Sequence, residues 1–400
     1  MNAIRCVAWA MAIGTGLAIP KAGAQGSLAP SGAPGPTMKT LAQIEPRTPI
    51  TNVPYSITQP GSYYLAANVT SATDGVTIRT NGVVLDLMGF AITGDRSSGG
   101  DVGVYVQGTN VAPIHDVVVR NGVLRNFGYG IRADHCQGGR FERLAIASNA
   151  YGGVWLYGRF GKCNGNLLVD CSIDSNLEGI FFYGYGGACD GNVIDGCTIT
   201  GNGLSGVTFS GYGGQSDGNA LVRSSITGNR SNGVAIDASS GGRCYGNTVR
   251  ECAIVGNGKY GLFLDGSTSG ECRGNDVSEC SVVGNADRGI LLTTSGTGAC
   301  NGNAIENCVV QGNADEGLRL VYARGTRVAG NHMSGNFGSS TSNGITCVAT
   351  SSNLVVRNSS VGHVYSFTMG ANDTYGPLVT NQGELATGGK PAHPWANFMR

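Results

Sequence analysis

The residues best placed to do chemistry lie on a short motif, glycine-apolar-x-apolar, which returns at intervals of roughly 23–28 residues or their multiples. Side chains alternate between the two faces of a strand, so Val154 and Leu156 should face a core while Trp155 and Tyr157 face solvent. Flat rings suit stacking on sugar rings, and exposed aromatic patches usually bind a partner. The same register predicts a carbohydrate-binding stripe of Trp155, Tyr157, Phe181, Tyr183, Tyr185, Tyr212 and Phe263.

Charged residues flank this predicted stripe. Asp237 and Asp265 occupy equivalent positions on neighbouring motifs, so each carboxylate could perturb the pKa of the other and provide an acid and a base. Arg132 and Asp134, or Asp134 with His135, form the other catalytic candidate. The alternatives are that the acids form a solvated face without chemistry, and that a loop or the C-terminal tail covers the stripe.

A regular repeat must position these residues. Its clearest copies contain Cys-x-Gly-Asn, a second Cys eight positions after the first, and an Asn five positions later, as in Cys189, Asn192, Cys197 and Asn202. Gly-Asn breaks every eight to twelve residues leave no room for helices. Three short strands per unit, stacked into three parallel sheets about 4.8 Å between strands, fit this pattern. The recurring asparagines are then predicted to be structural ladders of stacked amides.

The repeat units, with the consensus Gly-Asn-x-x-x-Gly-apolar-x-apolar, resemble those of the pectin-lyase-like superfamily of right-handed β-helix repeat proteins. Residues 60–65 and 84–90, with the tail at 393–398, resemble a bacterial secreted branch of that superfamily. The resemblance covers roughly residues 50–400. It implies an all-β, right-handed parallel β-helix of about ten or more coils, with an N-terminal cap and a C-terminal tail.

The same resemblance leaves the function open. The superfamily includes polysaccharide lyases, hydrolases, epimerases, tailspike-like proteins and members without known activity. The motifs expected of polygalacturonase-like hydrolases and the acidic calcium cluster of pectate lyases are missing from the sequence. The leading prediction is therefore a protein that binds polysaccharide. The alternatives are a polysaccharide lyase or glycoside hydrolase, and a non-catalytic structural or surface protein.

The cysteines recur with the coil. In an exported protein, pairs at a fixed separation of eight favour disulfides within each coil. Free buried thiols, bridges between adjacent coils and a metal site remain alternatives. The predicted pairs are Cys163 with Cys171, Cys189 with Cys197, Cys244 with Cys252, Cys272 with Cys280, and Cys300 with Cys308.

The N-terminus predicts export. Residues 1–24 read as a signal peptide, with Arg5 before an apolar segment at 7–19 and a small-residue cleavage site at 22–24. We expect a secreted or periplasmic protein with no membrane segment. The predicted organisation continues with a flexible linker at 25–48, a cap and first coils at 49–112, repeats at 113–365 and a capping tail at 366–400.

Composition restricts the partners. Glycine is 67 of 400 residues and the formal net charge is zero, which removes the electrostatic footprint of a nucleic-acid binder and any general attraction to anionic membranes. The remaining histidines are scattered, so neither a metal nor another cofactor is expected. Polysaccharide is the predicted partner, and the sequence does not indicate an oligomeric state.

Overall fold

The computed structural model describes residues 45–96, 99–337, 343–380 and 393–399. The predicted signal peptide and most of the predicted linker lie outside these residues. The regular structure within them consists of 44 β-strands, and the paired strands run parallel. The described residues contain no helix with the length and apolar composition needed to cross a membrane.

One 13-stranded sheet carries the glycine-apolar-x-apolar motif, with one strand from each successive coil. Within the described residues its strands pair strictly with the equivalent strand of the next coil. Equivalent residues therefore lie above one another. The strands are Tyr55–Ile57, Val76–Ile78, Val102–Gln107, Tyr129–Asp134, Gly152–Tyr157, Glu178–Tyr183, Val207–Ser210, Val234–Asp237, Leu262–Asp265, Ile290–Thr293, Leu318–Val321, Asn343–Val348 and Tyr365–Thr368.

A 26-stranded sheet closes the rest of each coil. It consists of two parallel ladders that are joined through the long strands Val117–Arg125 and Arg140–Ala147. Its other strands are Thr48–Ile50, Gly61–Leu65, Val69–Ser71, Val83–Asp86, Ala91–Gly94, Leu167–Val169, Ser172–Asp174, Val193–Asp195, Thr198–Thr200, Ala220–Val222, Ser225–Thr227, Thr248–Arg250, Ala253–Val255, Asp276–Ser278, Ser281–Val283, Ala304–Glu306, Val309–Gln311, Arg327–Ala329, His332–Ser334, Ser351–Val356, Ser359–Val361, Asn372–Tyr375, Leu378–Val379 and Asn397–Met399.

Short strands at one corner of the coil form two small sheets. The two ladders and the 13-stranded sheet are the three predicted parallel faces. The two small sheets add a short fourth ladder at this corner. The strands are Ile114–His115 and Cys136–Gln137 in one small sheet, and Arg243–Tyr245, Glu271–Arg273 and Ala299–Asn301 in the other.

The core is continuous from coil to coil. Inward residues such as Ile180 and Phe182 are fully buried, and the rings of Phe182 and Phe209 stack across two coils with centroids 5.2 Å apart. Burying an aliphatic or phenyl side chain contributes about 1.5–3 kcal/mol. A single coil cannot close its own core, so neighbouring coils stabilise one another.

The predicted asparagine ladders are confirmed. The side-chain amide of Asn176 donates to Oδ1 of Asn202 and to the carbonyl of Ile146, at 3.2 and 3.1 Å. The backbone N–H of Asn176 also donates to Asn202 Oδ1, at 2.9 Å. These buried amides are satisfied by the coils above and below, which makes them structural. One ladder contains Asn166, Asn192, Asn219, Asn247, Asn275 and Asn303, and the other Asn149, Asn176, Asn202, Asn229, Asn257, Asn285, Asn313 and Asn336.

The structure does not pair the cysteines within each coil. The ten cysteines of the predicted pairs are all free and buried. The reason is geometric: Cys163 and Cys171 stand at opposite ends of the strand Leu167–Val169, at two different corners of the coil. The nearest equivalent thiol to each belongs to an adjacent coil. These ten are Cys163, Cys171, Cys189, Cys197, Cys244, Cys252, Cys272, Cys280, Cys300 and Cys308.

The ends of the described solenoid can be compared with the predicted boundaries. The first strand, Thr48–Ile50, begins at the last residue of the predicted linker. In the predicted tail, Tyr365–Thr368 and Asn372–Tyr375 still pair with the preceding coil. The last strand, Asn397–Met399, pairs with Ser359–Val361. The described part of the tail thus extends the sheets.

Candidate carbohydrate-binding face

The outer face of the 13-stranded sheet carries the predicted aromatic residues in the predicted orientation. Val154 and Leu156 are fully buried, whereas Trp155 and Tyr157 are partly exposed on the other side of the same strand. The register places Trp155 beside Phe181 and Tyr157 beside Tyr183. We call the residues Trp155, Tyr157, Phe181, Tyr183, Tyr185 and Tyr212 the aromatic stripe.

The rings of the aromatic stripe stack in columns. Trp155 and Phe181 have centroids 4.4 Å apart and planes 12° apart. Tyr157 and Tyr183 stack at 5.6 Å and 12°. Equivalent residues on adjacent strands are about 4.8 Å apart, which brings like rings into face-to-face contact. The ring faces inside each column therefore cover each other.

The most exposed rings in this region of the surface lie at the rim of the aromatic stripe. Tyr212 is 42% exposed and stacks on Tyr185 at 5.7 Å. Tyr151, 45% exposed, stacks on Tyr129, and Phe160, 58% exposed, meets Tyr185 edge-on. The sequence reasoning missed Tyr151 and Phe160 because both lie in turns outside the strand motif.

A polar cavity adjoins this rim. It has a volume of about 470 Å³, and Phe160, Lys162, Gly187, Gln215 and Arg243 are among its lining residues. Lys162 is exposed and has no ion pair with any described residue, whereas Arg243 pairs with Asp217. The rim thus joins rings, an amide and an uncompensated ammonium group, which together could contact a polyhydroxylated ligand.

Phe263 does not join the stripe. The positions between it and Phe181 on the outer face are occupied by Thr208 and Ala235, both buried. Phe263 instead contacts Tyr260, with ring centroids 5.2 Å apart. The predicted surface is therefore two separate aromatic groups, of which the stripe is the larger.

The Arg132–Asp134 candidate is an internally satisfied ion pair. Arg132 Nε and Nη2 donate to the two carboxylate oxygens of Asp134, each at 2.8 Å. The hydroxyl of Tyr105 also donates to Asp134, at 2.7 Å. The guanidinium lies 5.9 Å from the ring centroid of Tyr129 and 5.5 Å from that of Tyr157. The pair therefore anchors the N-terminal end of the stripe.

His135 offers no proton-transfer contact to Asp134. Its Nδ1 is buried and lacks a hydrogen-bond partner in the described structure. Burial lowers the pKa of His135, which the charge of Asp134 opposes. The imidazole is therefore held neutral next to the ion pair.

Asp237 and Asp265 lie side by side, as the register predicted. Each uses Oδ1 to accept the backbone N–H of the serine two residues ahead, Ser239 at 2.8 Å and Ser267 at 2.9 Å. Burial raises the pKa of Asp265, and the charge of Asp237 adds to the rise. The two acids thus stabilise turns, and the charge of Asp237 contributes to the raised pKa of Asp265.

Glu178 is a candidate site residue that the sequence pattern does not predict. It begins the strand that carries Phe181 and Tyr183, and its Oε2 is buried without a hydrogen-bond partner. Burial raises the pKa of Glu178 to about 7, opposed by a hydrogen bond from the backbone N–H of Ser205. Its register partner is Gly152, where a Cβ would lie 3.3 Å from the Trp155 ring. A carboxyl group with a raised pKa therefore begins one of the strands that carry the aromatic stripe.

A second missed cluster lies further along the same outer face. Arg288 forms ion pairs with Asp315 at 2.7 Å and Glu316 at 2.6 Å, and Arg319 reaches Glu316 at 2.6 Å. Burial and the adjacent Glu316 raise the pKa of Asp315 to about 6. These charges are compensated by one another, so the cluster joins coils rather than offering a free acid.

Comparisons with known proteins agree with this architecture. Residues 102–277 match the family model for the right-handed β-helix region, and residues 192–381 match that for NosD, a periplasmic copper-binding protein. The A-module of the Azotobacter vinelandii mannuronan C-5 epimerase AlgE4 superposes with a TM-score of 0.50 over 82% of this chain and 90% of that chain, at 14% identity. The chain is a right-handed parallel β-helix protein of the pectin-lyase-like fold.

Two further structures resemble this β-helix protein at lower scores. The periplasmic alginate epimerase AlgG aligns at 13% identity and a TM-score of 0.49, covering 86% of this chain and 78% of that chain. The Dettilon tailspike protein gp208 aligns at 13% identity and a TM-score of 0.43, covering 88% of this chain. The β-helix protein spans 61% of the tailspike protein's length. A search of curated protein sequences found no match.

The residues of this β-helix protein do not fit the copper named in the second family description. Within the described part of the chain, no three His, Cys, Asp or Glu side chains are grouped to hold a metal ion. Burial raises the pKa of Cys244 and Cys272 well above the ordinary thiol value. Copper binds the deprotonated thiolate, which this burial disfavours.

Proposed function

We propose that this β-helix protein binds a polysaccharide along the aromatic stripe. The observation that carries the proposal is the pair of stacked ring columns on the outer face, bordered by the exposed rings of Tyr151, Phe160 and Tyr212. Packed columns hold the rings in fixed positions, so little side-chain entropy is lost on binding. Tyrosine combines an apolar ring with a polar hydroxyl, which matches the mixed surface of a sugar.

Binding is favoured over cleavage by the state of the candidate acids. Both oxygens of Asp134 already accept charged or hydroxyl donors, and Asp237 and Asp265 each hold a turn. A general acid or base needs a lone pair or proton directed at the substrate. The fold shared with the mannuronan epimerase module is compatible with a polysaccharide ligand, and lyase or hydrolase activity remains the alternative.

The proposed site of action is outside the cytoplasm. The predicted signal peptide at residues 1–24 supports export. The family matched by residues 192–381 is described as periplasmic, which supports the same location. The proposal covers either a periplasmic or a secreted protein.

The test is affinity gel electrophoresis with a panel of neutral and acidic polysaccharides, paired with assays for reducing and unsaturated ends. At least one polysaccharide should retard the protein without being cleaved. The variant Trp155→Ala/Tyr183→Ala should lose this retardation and still unfold cooperatively, with a transition lowered by the lost ring stacking. A matched control is Tyr322→Ala, which removes a tyrosine that is 54% exposed and outside the stripe.

The outcomes separate the alternatives. Release of unsaturated ends would identify a lyase, and release of reducing ends without unsaturation a hydrolase. Retardation that survives in the double variant would show that the stripe is not the binding surface. Neither retardation nor cleavage across the panel would leave a structural or surface role.

A further inference from the structure

Two columns of cysteines run through the described core. Both columns are interrupted in the same coil, where Ser216 and Ser224 replace the two cysteines. This interruption divides the cysteines into four sets of neighbours. The sets are Cys136, Cys163 and Cys189; Cys244, Cys272 and Cys300; Cys171 and Cys197; and Cys252, Cys280 and Cys308.

The members of each set are direct neighbours across coils. Cys244, Cys272 and Cys300 are register partners on three successive parallel strands. Such strands are about 4.8 Å apart, and disulfides form across Cα separations of about 4.4–6.8 Å. Cys163 and Cys189 directly follow Lys162 and Ala188, which form a parallel bridge between neighbouring coils. Cys171 and Cys197 directly precede the register partners Ser172 and Thr198. Cys252, Cys280 and Cys308 directly precede Ala253, Ser281 and Val309, which are register partners in the same way.

We propose that the exported protein carries disulfide bonds between adjacent coils, at most one in each of these four sets. The inference rests on the proposed export, since disulfides persist in oxidising compartments. A chain of three thiols can form only one bridge, and its central cysteine is always a partner. Cys163, Cys272 and Cys280 are these central residues.

Each bridge forms during folding, before the coils bury the thiols. One thiolate attacks a disulfide of the oxidant and displaces a thiolate, which gives a mixed disulfide. The neighbouring thiolate then displaces the second oxidant thiolate. Two protein thiols thus lose two electrons and two protons to the oxidant, a small-molecule or protein disulfide of the exported compartment. Each bridge links two coils covalently and resists their separation at that corner.

The number of free thiols distinguishes this pattern from bridges within coils. Bridges between coils leave four of the twelve described cysteines reduced, one in each set of three together with Cys347. Bridges within coils would leave two, Cys136 and Cys347. Full-length precursor should be expressed with export, denatured in an alkylating reagent and analysed by mass spectrometry before and after reduction. Four alkylated cysteines are expected, and peptide mapping should join adjacent coils.

A pair of variants tests the same proposal independently. Cys280→Ser removes the centre of its set, so that bridge should be lost, and Cys252 and Cys308 should both become alkylated. Cys252→Ser removes an end and should leave the bridge between Cys280 and Cys308 intact. Bridges mapped within coils, or twelve alkylated thiols in exported protein, would overturn the proposal. Neither result would affect the binding test of the aromatic stripe.

Discussion

The two halves of the outer face of the 13-stranded sheet share one backbone arrangement but carry different side chains, stacked rings in one half and ion pairs in the other. Towards the N-terminus, strands Gly152–Tyr157 and Glu178–Tyr183 stack rings on rings. Towards the C-terminus, Arg288 and Glu316 precede strands Ile290–Thr293 and Leu318–Val321, and Arg319 lies in the second strand, so that the three residues alternate in charge. A spacing of about 4.8 Å brings every outer side chain against its equivalent. Rings gain from such stacking, whereas charges need an opposite partner.

Two acidic groups on this outer face lack an opposite charge as a partner within the described part of the chain. Asp237 and Asp265 are like charges on adjacent strands, and the pKa of Asp265 is raised accordingly, mainly by burial and then by Asp237. Glu178 has no ion pair with any described residue, and burial raises its pKa to about 7. In a column of equivalent positions, similar rings stabilise one another by stacking, whereas like charges repel and shift one another's pKa.

The largest effect on stability is expected from Arg288→Ala. The substitution leaves Asp315 and the deeply buried Glu316 without their shared cation, which should destabilise the fold by about 3 kcal/mol. The measurement is urea unfolding at neutral pH. The control Arg273→Ala removes an exposed ion pair with Glu271 and should cost less than about 0.5 kcal/mol. Equal losses in both variants would mean that the buried cluster has no special role.

Glu178→Gln should change how stability depends on pH. The carboxyl group ionises at about 7 in the folded protein and near 4.5 when unfolded, so the folded state binds the proton more tightly. The contribution of Glu178 to the free energy of unfolding therefore falls as pH rises from about 4.5 to 7, and this loss of stability persists at higher pH. Removing the charge should recover about 2 kcal/mol at pH 8 and little at pH 4, measured by urea unfolding.

The control for this prediction is Glu271→Gln, a partly exposed carboxylate on another part of the coil. It should leave the pH profile of stability close to that of the wild type. A wild-type protein whose unfolding free energy does not fall between pH 5 and pH 7 relative to the Glu178→Gln variant would contradict a raised pKa at Glu178.

Trp155→Ala should weaken polysaccharide binding about tenfold, or about 1.4 kcal/mol, because it removes the ring stacked on Phe181. Titration calorimetry with the polysaccharide identified in the gel assay provides the measurement. Phe263→Ala is the matched control on the same sheet, outside the stripe. A greater loss in the control would move the binding surface towards the C-terminal half.

The smallest expected effect is a shift in the titration of Asp265. Asp237→Asn keeps an oxygen that can accept the N–H of Ser239 but removes the neighbouring negative charge. The pKa of Asp265 should fall, because the charge of Asp237 is one of the causes that raise it. Carboxyl-carbon NMR titration measures it. An unchanged pKa of Asp265 would mean that burial causes the whole shift. The control Asp134→Asn should leave the pKa of Asp265 unchanged.

Much of this arrangement follows from the sequence. The spacing of Gly153 and Gly206, with the asparagines between them, predicts coils, and alternation then assigns Trp155 outward and Leu156 inward. The predicted neighbours Asp237 and Asp265 follow from the same register. The rim rings Tyr151 and Phe160 and the orphaned oxygen of Glu178 do not, since turn geometry and burial are not periodic.

The sequence by itself determined which residues lie above one another, because a repeat of near-constant length forces equivalent positions into columns. Only the tertiary structure decided what each column does. It placed Cys163 and Cys171 at different corners of the coil, closed Arg132 onto Asp134, and left Glu178 Oε2 buried without a hydrogen-bond partner. Contacts between corners of a coil depend on how its three sides meet, and no single strand encodes that geometry.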